Sequence, residues 1–397
     1  ALVRRFIESE PDVANDTSKY IEGWGWDHTA WPIQEFPTAA DLEADSVVKS
    51  RPVVLQSKDG HALWVSQAVL QSMEPLPDRM EGGVVVRDEL GRPTGVFLDN
   101  AQELVQKPPL TEKDLLRRFK YVVQDALANG LTSIHDAGFS PSEKIINAGN
   151  GRLSARSLHE PYADNPGTRG FMRLSADVLN NVIPRFLRDG WQVNVHAIGD
   201  RANGIVLDAF EEALKGVNVT ALRPRLEHAQ ILTNADMARI GQLGVIASIQ
   251  PTHAISDMWF AEDRLGPERV KGLYAFRSII DNGGRIALGT DFPVEDMNPL
   301  AGFHAAITRV TADGRSPHGP GGWFPEQRLT RVEALRGLTI DPAYASFTES
   351  TLGSLEPGKR ADYVVLSQDI MSVDEKKILD TKVLATAIDG RLAYGKI

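Results

Sequence analysis

None of the 397 residues is cysteine. That excludes disulfide bridges, thiolate metal sites and a cysteine nucleophile. No uninterrupted apolar run approaches the roughly 20 residues a helix needs to span a bilayer. The chain opens Ala1-Leu2-Val3-Arg4-Arg5-Phe6, without the apolar core of a secretory leader, and reads as the interior of something longer. Basic residues are outnumbered, 43 against 53, for a formal charge of −10, and no long basic run occurs. Phosphate binding needs clustered Lys and Arg, so no nucleic-acid partner is expected. There is no Gly-x-Ser-x-Gly elbow and no Gly-x-Gly-x-x-Gly after a strand, which argues against a serine hydrolase and a Rossmann-type oxidoreductase. No solenoid repeat or low-complexity tract appears. What is present is ordinary for a globular chain: 42% hydrophobic and 24% charged residues. The length suits one large barrel plus a smaller unit, or two to three domains.

Short apolar runs alternate with helical patterns. Arg51-Pro52-Val53-Val54-Leu55 reads as a strand and leads to Lys58-Asp59-Gly60-His61. From Thr111, apolar residues 115, 116, 119, 122, 123 and 126 follow helical spacing up to Gly130. Leu131-Thr132-Ser133-Ile134 is the next expected strand, ending at His135-Asp136. Ser175 caps a helix with Val178, Leu179, Val182 and Ile183 on one face, although Pro184 falls inside it. Trp191 to Val195 then runs into His196. Helices over 205–214, 235–243 and 273–280 lead to strands at 224–228, 245–250 and 285–291. This alternation predicts a parallel α/β sheet, open or closed. Polar residues at the ends of many strands (His61, His135, Asp136, His196, His228, Gln250, Asp291) favour a (β/α)₈ TIM-type barrel, whose catalytic groups gather at that mouth. Residues 81–100 read as an inserted β-hairpin. At the C-terminus, strands 363–366, 383–388 and 391–394, with an Asp389-Gly390 turn, form a small β unit.

His196, His228 and Asp291 carry the chemistry. Each closes an apolar strand, and in a barrel the three ends converge. Two neutral imidazoles and a carboxylate suit zinc or a similar divalent ion, which lowers the pKa of its bound water toward neutrality. A carboxylate beside that water can take its proton and return it to a leaving nitrogen. A single strand-end histidine is more often structural; three convergent positions reverse that. Gly289-Thr290-Asp291-Phe292-Pro293 adds a close backbone approach or a simple turn. His61, Trp64 and His253 are candidate substrate contacts, each weighed against a packing or loop role. Asp200 reads as a helix cap, and Glu227 points away from His228. Trp24, Trp26, Trp64 and Trp259 form either a substrate wall or rim packing.

Four stretches together resemble the amidohydrolase superfamily: Val195-His196-Ala197-Ile198-Gly199-Asp200-Arg201-Ala202, Arg225-Leu226-Glu227-His228-Ala229-Gln230, Gln250-Pro251-Thr252-His253 and Leu288-Gly289-Thr290-Asp291-Phe292-Pro293. The group is amidohydrolase family 3, which includes the N-substituted formamide deformylases. Gly25-Trp26-Asp27, Gly60-His61-Ala62-Leu63-Trp64-Val65 and the segment Gly353-Ser354-Leu355-Glu356-Pro357-Gly358 extend the similarity over nearly the whole chain. The resemblance implies a distorted (β/α)₈ barrel and a β-sandwich built from both chain ends. It also implies metal ligands matching His196 and His228, with Asp291 as ligand and proton shuttle. Two departures stand out. The family's strand-one His-x-His pair does not occur in this sequence. Nor does a convincing strand-four segment between Ser140 and Tyr162; either residues are missing near 140–160, around Ser157-Leu158, which is the expected cause, or a natural deletion has removed the second metal position.

The expectation is therefore a barrel over 1–349 and part of a β-sandwich over 350–397. The chain is expected to be a metal-dependent amidohydrolase, hydrolysing a non-peptide C–N bond of a small amide or formamide-like substrate. One or two divalent ions, zinc first among them, are expected. The rival reading is a catalytically inactive barrel that binds a small ligand or partner. A cytoplasmic location is favoured, and a homodimer is left open.

Overall fold

The computed structural model describes residues 1–73, 75–80, 82–137, 154–155 and 157–397, with 154 and 155 described as backbone. Residues 1–116 and 117–397 form two compact units. The first holds a five-stranded sheet of β1 (Ile21–Trp26), β2 (Val53–Ser57), β3 (Ala62–Val65), β4 (Gly83–Arg87) and β5 (Pro93–Asp99), in the order β1-β2-β3-β5-β4. β1 and β2 run parallel; the other pairs are antiparallel. Val54, Leu63, Val65 and Phe97 form its core with Val69 and Leu70 of the helix Gln67–Ser72. The expected hairpin at 81–100 is present as β4 and β5, and it forms one edge of this sheet. Its turn is held by Asp88, whose carboxylate accepts from the Leu90 and Arg92 N–H groups and the Arg92 guanidinium.

The second unit is built on a parallel sheet. It comprises β6 (Ser154–Ala155), β7 (Asn194–Ala197), β8 (Arg225–His228), β9 (Ile246–Ile249) and β10 (Arg285–Leu288), in the order β10-β9-β8-β7-β6. Spatial order follows chain order, with helices Asp200–Ala213, Asn234–Leu243 and Phe276–Asp281 between successive strands from β7 onward. Strand residues alternate in function as in direction. Val195, Ala197, Leu226, Ala247, Ile249, Ile286 and Leu288 join Val206, Leu207, Phe210 and Ile279 of the helices in one continuous core. The opposite face carries the polar residues, Asn194 and His196 on β7, Arg225 and Glu227 on β8 and Ser248 on β9, beside a small apolar cluster of Ile246, Ala287 and Ala345. Arg225 and Glu227 form an ion pair of 2.9 Å with only 7% and 5% of their side chains exposed. Burying both charges offsets most of the gain, but deleting either partner would cost roughly 3–5 kcal/mol. Glu227 thus supports the sheet, as its position beside His228 suggested.

Helix Ala176–Arg188 forms straight through Pro184, because Leu179, Ile183 and Leu187 bury one stripe and Ser175 Oγ accepts the Val178 N–H at 3.3 Å. The expected strand at Leu131-Thr132-Ser133-Ile134 does not form a ladder. Ile134 is 56% exposed, and no described strand lies beside it to take its N–H and C=O groups. The expectation of a missing strand-four segment falls mostly on residues 138–153 and 156, outside the described residues; within 140–160 the two-residue β6 pairs parallel with β7, Ser154 opposite His196.

At the C-terminus, β11 (Tyr363–Leu366), β12 (Val383–Ile388) and β13 (Arg391–Gly395) make a three-stranded antiparallel sheet within the same unit. Thr386 Oγ1 donates to the Leu127 carbonyl at 2.7 Å. Gly130 (φ 80°) sits so close that a Cβ there would lie 2.9 Å from Val364. Among the described residues, no helix is long and apolar enough to cross a membrane.

Candidate metal centre

Strict alternation along β7 and β8 would keep His196 and His228 apart. His196 stands opposite Glu227 in the register, and His228 opposite Ala197. The backbone breaks that alternation at the strand exit: His228 has φ 74° and Ala229 φ 43°, both left-handed. Asp291, just past β10, has φ 57°. Such conformations cost on the order of 1–3 kcal/mol each in non-glycine residues and concentrate at functional sites. Here their effect is concrete: the His228 ring swings to meet His196, with Nε2 3.0 Å from His196 Nδ1.

Hydrogen bonds to the outer ring nitrogens fix both tautomers. His196 Nε2 faces the Ala137 carbonyl at 3.1 Å; a carbonyl only accepts, so Nε2 carries the proton. His228 Nδ1 meets Gln250 Oε1 at 2.8 Å, and the Gln250 amide is oriented by Nε2 donating to the Ser248 carbonyl at 3.2 Å. His228 Nδ1 is therefore a donor as well. Both inner nitrogens, Nδ1 of His196 and Nε2 of His228, are left with lone pairs pointed at each other. Burial first, and then the neighbouring His228, hold His196 below the usual imidazole range, which keeps it neutral. Two facing lone pairs repel unless a cation lies with them. Two nitrogen donors on one tetrahedral zinc ion stand about 3.3 Å apart. The pair fits a divalent cation by chemistry and by spacing.

His253 and Asp291 complete the cluster. His253 lies on the helix Pro251–Asp257 directly after β9, and its ring stacks on that of His228 with centroids 6.1 Å apart. His253 Nε2 lies 3.9 Å from Asp291 Oδ2. One ligand atom each from His228, His253 and Asp291 falls within 4.8 Å of the others. The sequence-predicted trio was His196, His228 and Asp291, with His253 as a substrate contact. The structure groups His228 and Asp291 with His253, which enters ligand range, while His196 meets the group through His228.

Asn203 holds the two histidine-bearing exits in place. It is fully buried on the helix Asp200–Ala213. Its Nδ2 lies 3.0–3.3 Å from the carbonyls of Ala197, Ile198 and Gly199 after His196, and 3.1 Å from that of Ile231 after His228. Asp200 does not cap this helix from the N-cap position, which is Gly199; its Oδ1 accepts from the Arg201 and His159 N–H groups.

In the first unit, His61 Nδ1 lies 2.7 Å from Asp99 Oδ1, and the Asp99 side chain is 9% exposed. Asp99 accepts, so His61 carries its proton on Nδ1. Sequence reasoning missed Asp99 because 38 residues separate the pair. Trp64 donates Nε1 to the Thr38 carbonyl at 2.8 Å and packs against Trp26 and Trp31 with centroids 6.3 and 6.4 Å away. Trp26 donates to the Leu55 carbonyl, whereas Trp24 is 47% exposed. In the second unit, Trp259 is half-exposed with the Arg315 guanidinium 5.8 Å from its ring centre. His135, at the end of the segment that forms no ladder, is exposed.

A parallel α/β sheet with clustered histidines and an aspartate at its strand exits defines the class, and the class is borne out by comparison. Residues 12–394 match the amidohydrolase family, and the chain belongs to it. It is similar to Protein LONG AFTER FAR-RED 3 of Arabidopsis thaliana, 32% identical over 94% of this chain and 74% of that one. That alignment runs over 445 positions, more than the 397 residues here, so the relative carries internal segments with no counterpart in this chain. The N-substituted formamide deformylase of Arthrobacter pascens is 27% identical over 91% of this chain and 77% of its own. Among solved structures, an uncharacterized metal-dependent hydrolase from Pyrococcus horikoshii superposes with a TM-score of 0.69, at 24% identity over 94% of this chain and 80% of that one. Family membership and fold support a hydrolytic role on a TIM-type α/β framework.

Proposed function

We propose that this protein hydrolyses a non-peptide C–N bond, amide or formamide-like, in a small molecule by metal-activated water. The observation that carries the reading is the pair of histidine ring nitrogens facing each other at 3.0 Å, with His228 grouped with His253 and Asp291. His196, His228 and Asp291 would hold a divalent ion, zinc by preference, with His253 within reach as a further donor. Such an ion supplies Lewis acidity and a nucleophile at neutral pH. Asp291 is 34% exposed, so its carboxylate can meet both water and substrate. It takes the proton of the attacking water and delivers it to the departing nitrogen. Gln250 and the Ala137 carbonyl keep the two ligand histidines in the tautomers that face inward. The relative named as a formamide deformylase, and the one solved as a metal-dependent hydrolase, support the C–N substrate class and the metal.

His253 is also a proposed substrate contact. A closed (β/α)₈ barrel and a β-sandwich that includes 350–397 are the proposed architecture. Replacing Asp291 by Asn should abolish turnover of formamide-type substrates and leave thermal unfolding within about 1 kcal/mol of wild type; retained turnover rules Asp291 out as the proton carrier. One observation favours a second reading, an inactive ligand-binding barrel: the sequence holds no His-x-His pair, and its relative carries segments it lacks.

A further inference from the structure

The three segments that carry His228, His253 and Asp291 are tied to one another by polar side chains outside the site. Ser256 and Asp257 lie on the helix of His253, three and four residues beyond it. Ser256 Oγ donates to Glu295 Oε1 at 2.5 Å, and Glu295 is four residues beyond Asp291. Asp257 Oδ2 accepts from the Tyr274 hydroxyl at 2.5 Å and faces Gln230 Nε2 at 3.4 Å; Gln230 is two residues beyond His228. Tyr274 itself clamps the His228 exit, since its N–H donates to the Gln230 carbonyl at 2.8 Å while the Leu232 N–H donates to Gly272. Tyr274 is 2% exposed. Burial and Asp257 push its hydroxyl well above the ordinary range, so it stays a donor.

We propose that Ser256, Asp257, Glu295 and Tyr274 act as positioning residues, a brace that joins the three ligand-bearing segments into one rigid body. Packing alone would hold these segments with apolar side chains. Instead, part-buried carboxylates are used, which take directional bonds and so set distances between segments. Ser256 governs the spacing of His253 to Asp291, and Asp257 that of His253 to His228. The consequence for ion affinity rests on the metal-site reading above; the mechanical coupling does not.

The test is hydrogen–deuterium exchange on the full metal-free chain, paired with zinc affinity by chelator competition, for wild type, Ser256→Ala, Ser256→Thr and Asp257→Asn. Ser256→Ala should speed exchange about tenfold in residues 291–298 as well as in its own helix. Asp257→Asn should do the same for residues 228–232. Ser256→Thr keeps the hydroxyl and should restore wild-type exchange. The C-terminal sheet β11–β13 should exchange normally throughout, showing that the variants are folded. Zinc affinity should fall about 10- to 100-fold in Ser256→Ala and Asp257→Asn. Changes confined to the helix Pro251–Asp257 overturn the brace, even if wild type binds zinc. Spread of exchange to the other segments with no zinc bound by wild type upholds the brace and overturns the metal reading.

Discussion

Removing the Asn203 side chain should loosen both histidine-bearing exits at once. The amide has two N–H bonds and four carbonyls within 3.0–3.3 Å, so its donors are shared between the His196 and His228 exits. Asn203→Ala deletes about two buried hydrogen bonds, worth about 1 kcal/mol each, and leaves dry carbonyls that add about 1 kcal/mol. Asn203 Oδ1 makes no hydrogen bond among the described residues, and its removal returns roughly 1 kcal/mol. The net loss is about 2 kcal/mol, a fall of roughly 3–4 °C in Tm for a unit of this size. Asn203→Asp is the sharper control. It keeps the shape but turns acceptor oxygens toward acceptor carbonyls, and should cost more than the alanine. Circular dichroism melts of the full chain measure both. An alanine variant within about 0.5 kcal/mol of wild type, or an aspartate variant as stable as wild type, refutes the hub role.

Two further outcomes follow from the same geometry. Gln250→Leu removes the acceptor that keeps the proton on His228 Nδ1, so zinc affinity by chelator competition should drop about 10- to 100-fold, while Gln250→Glu should retain it; equal affinity for the leucine variant contradicts the tautomer assignment. Glu333, paired with the Arg277 guanidinium and capped onto Thr330, has its pKa lowered from 4.5 to about 2. A lowered folded-state pKa means that its stabilisation is complete above pH 4.5 and lost as pH falls through about 2. For this half-solvated pair Glu333→Gln should cost about 1 kcal/mol at neutral pH and flatten the stability profile below pH 4.5 in urea titrations; an unchanged acid limb would contradict it.

The strand exits were legible because their signal is local. An apolar run that ends in His196, His228 or Asp291 shows its chemistry without knowledge of its neighbours, and the helices between such runs show that the strands are parallel. Residues 363–366 and 383–394 were legible for a similar reason, since apolar runs and an Asp-Gly turn describe an antiparallel pair by themselves. What escaped was anything set by distance in three dimensions. Asp99 gives no hint that it will meet His61. His253 reads from sequence as a substrate contact or a loop histidine, and its ligand range shows only when the helix Pro251–Asp257 starts immediately after β9. The left-handed turn at His228 and Ala229 is invisible too, since alanine disfavours it and the modest enrichment of histidine in that region singles out no one position. Leu131 to Ile134 misled in the opposite direction: apolar content proposes a strand, but only a partner makes one.

Elemental analysis of divalent metals in the purified full-length protein, alongside His196→Ala and His228→Ala, tests the central claim most directly. Near-stoichiometric zinc or another divalent ion in wild type, lost in both variants, is the predicted result. Wild type free of metal after supplementation, or metal that survives both substitutions, would contradict a metal centre built on the facing histidines.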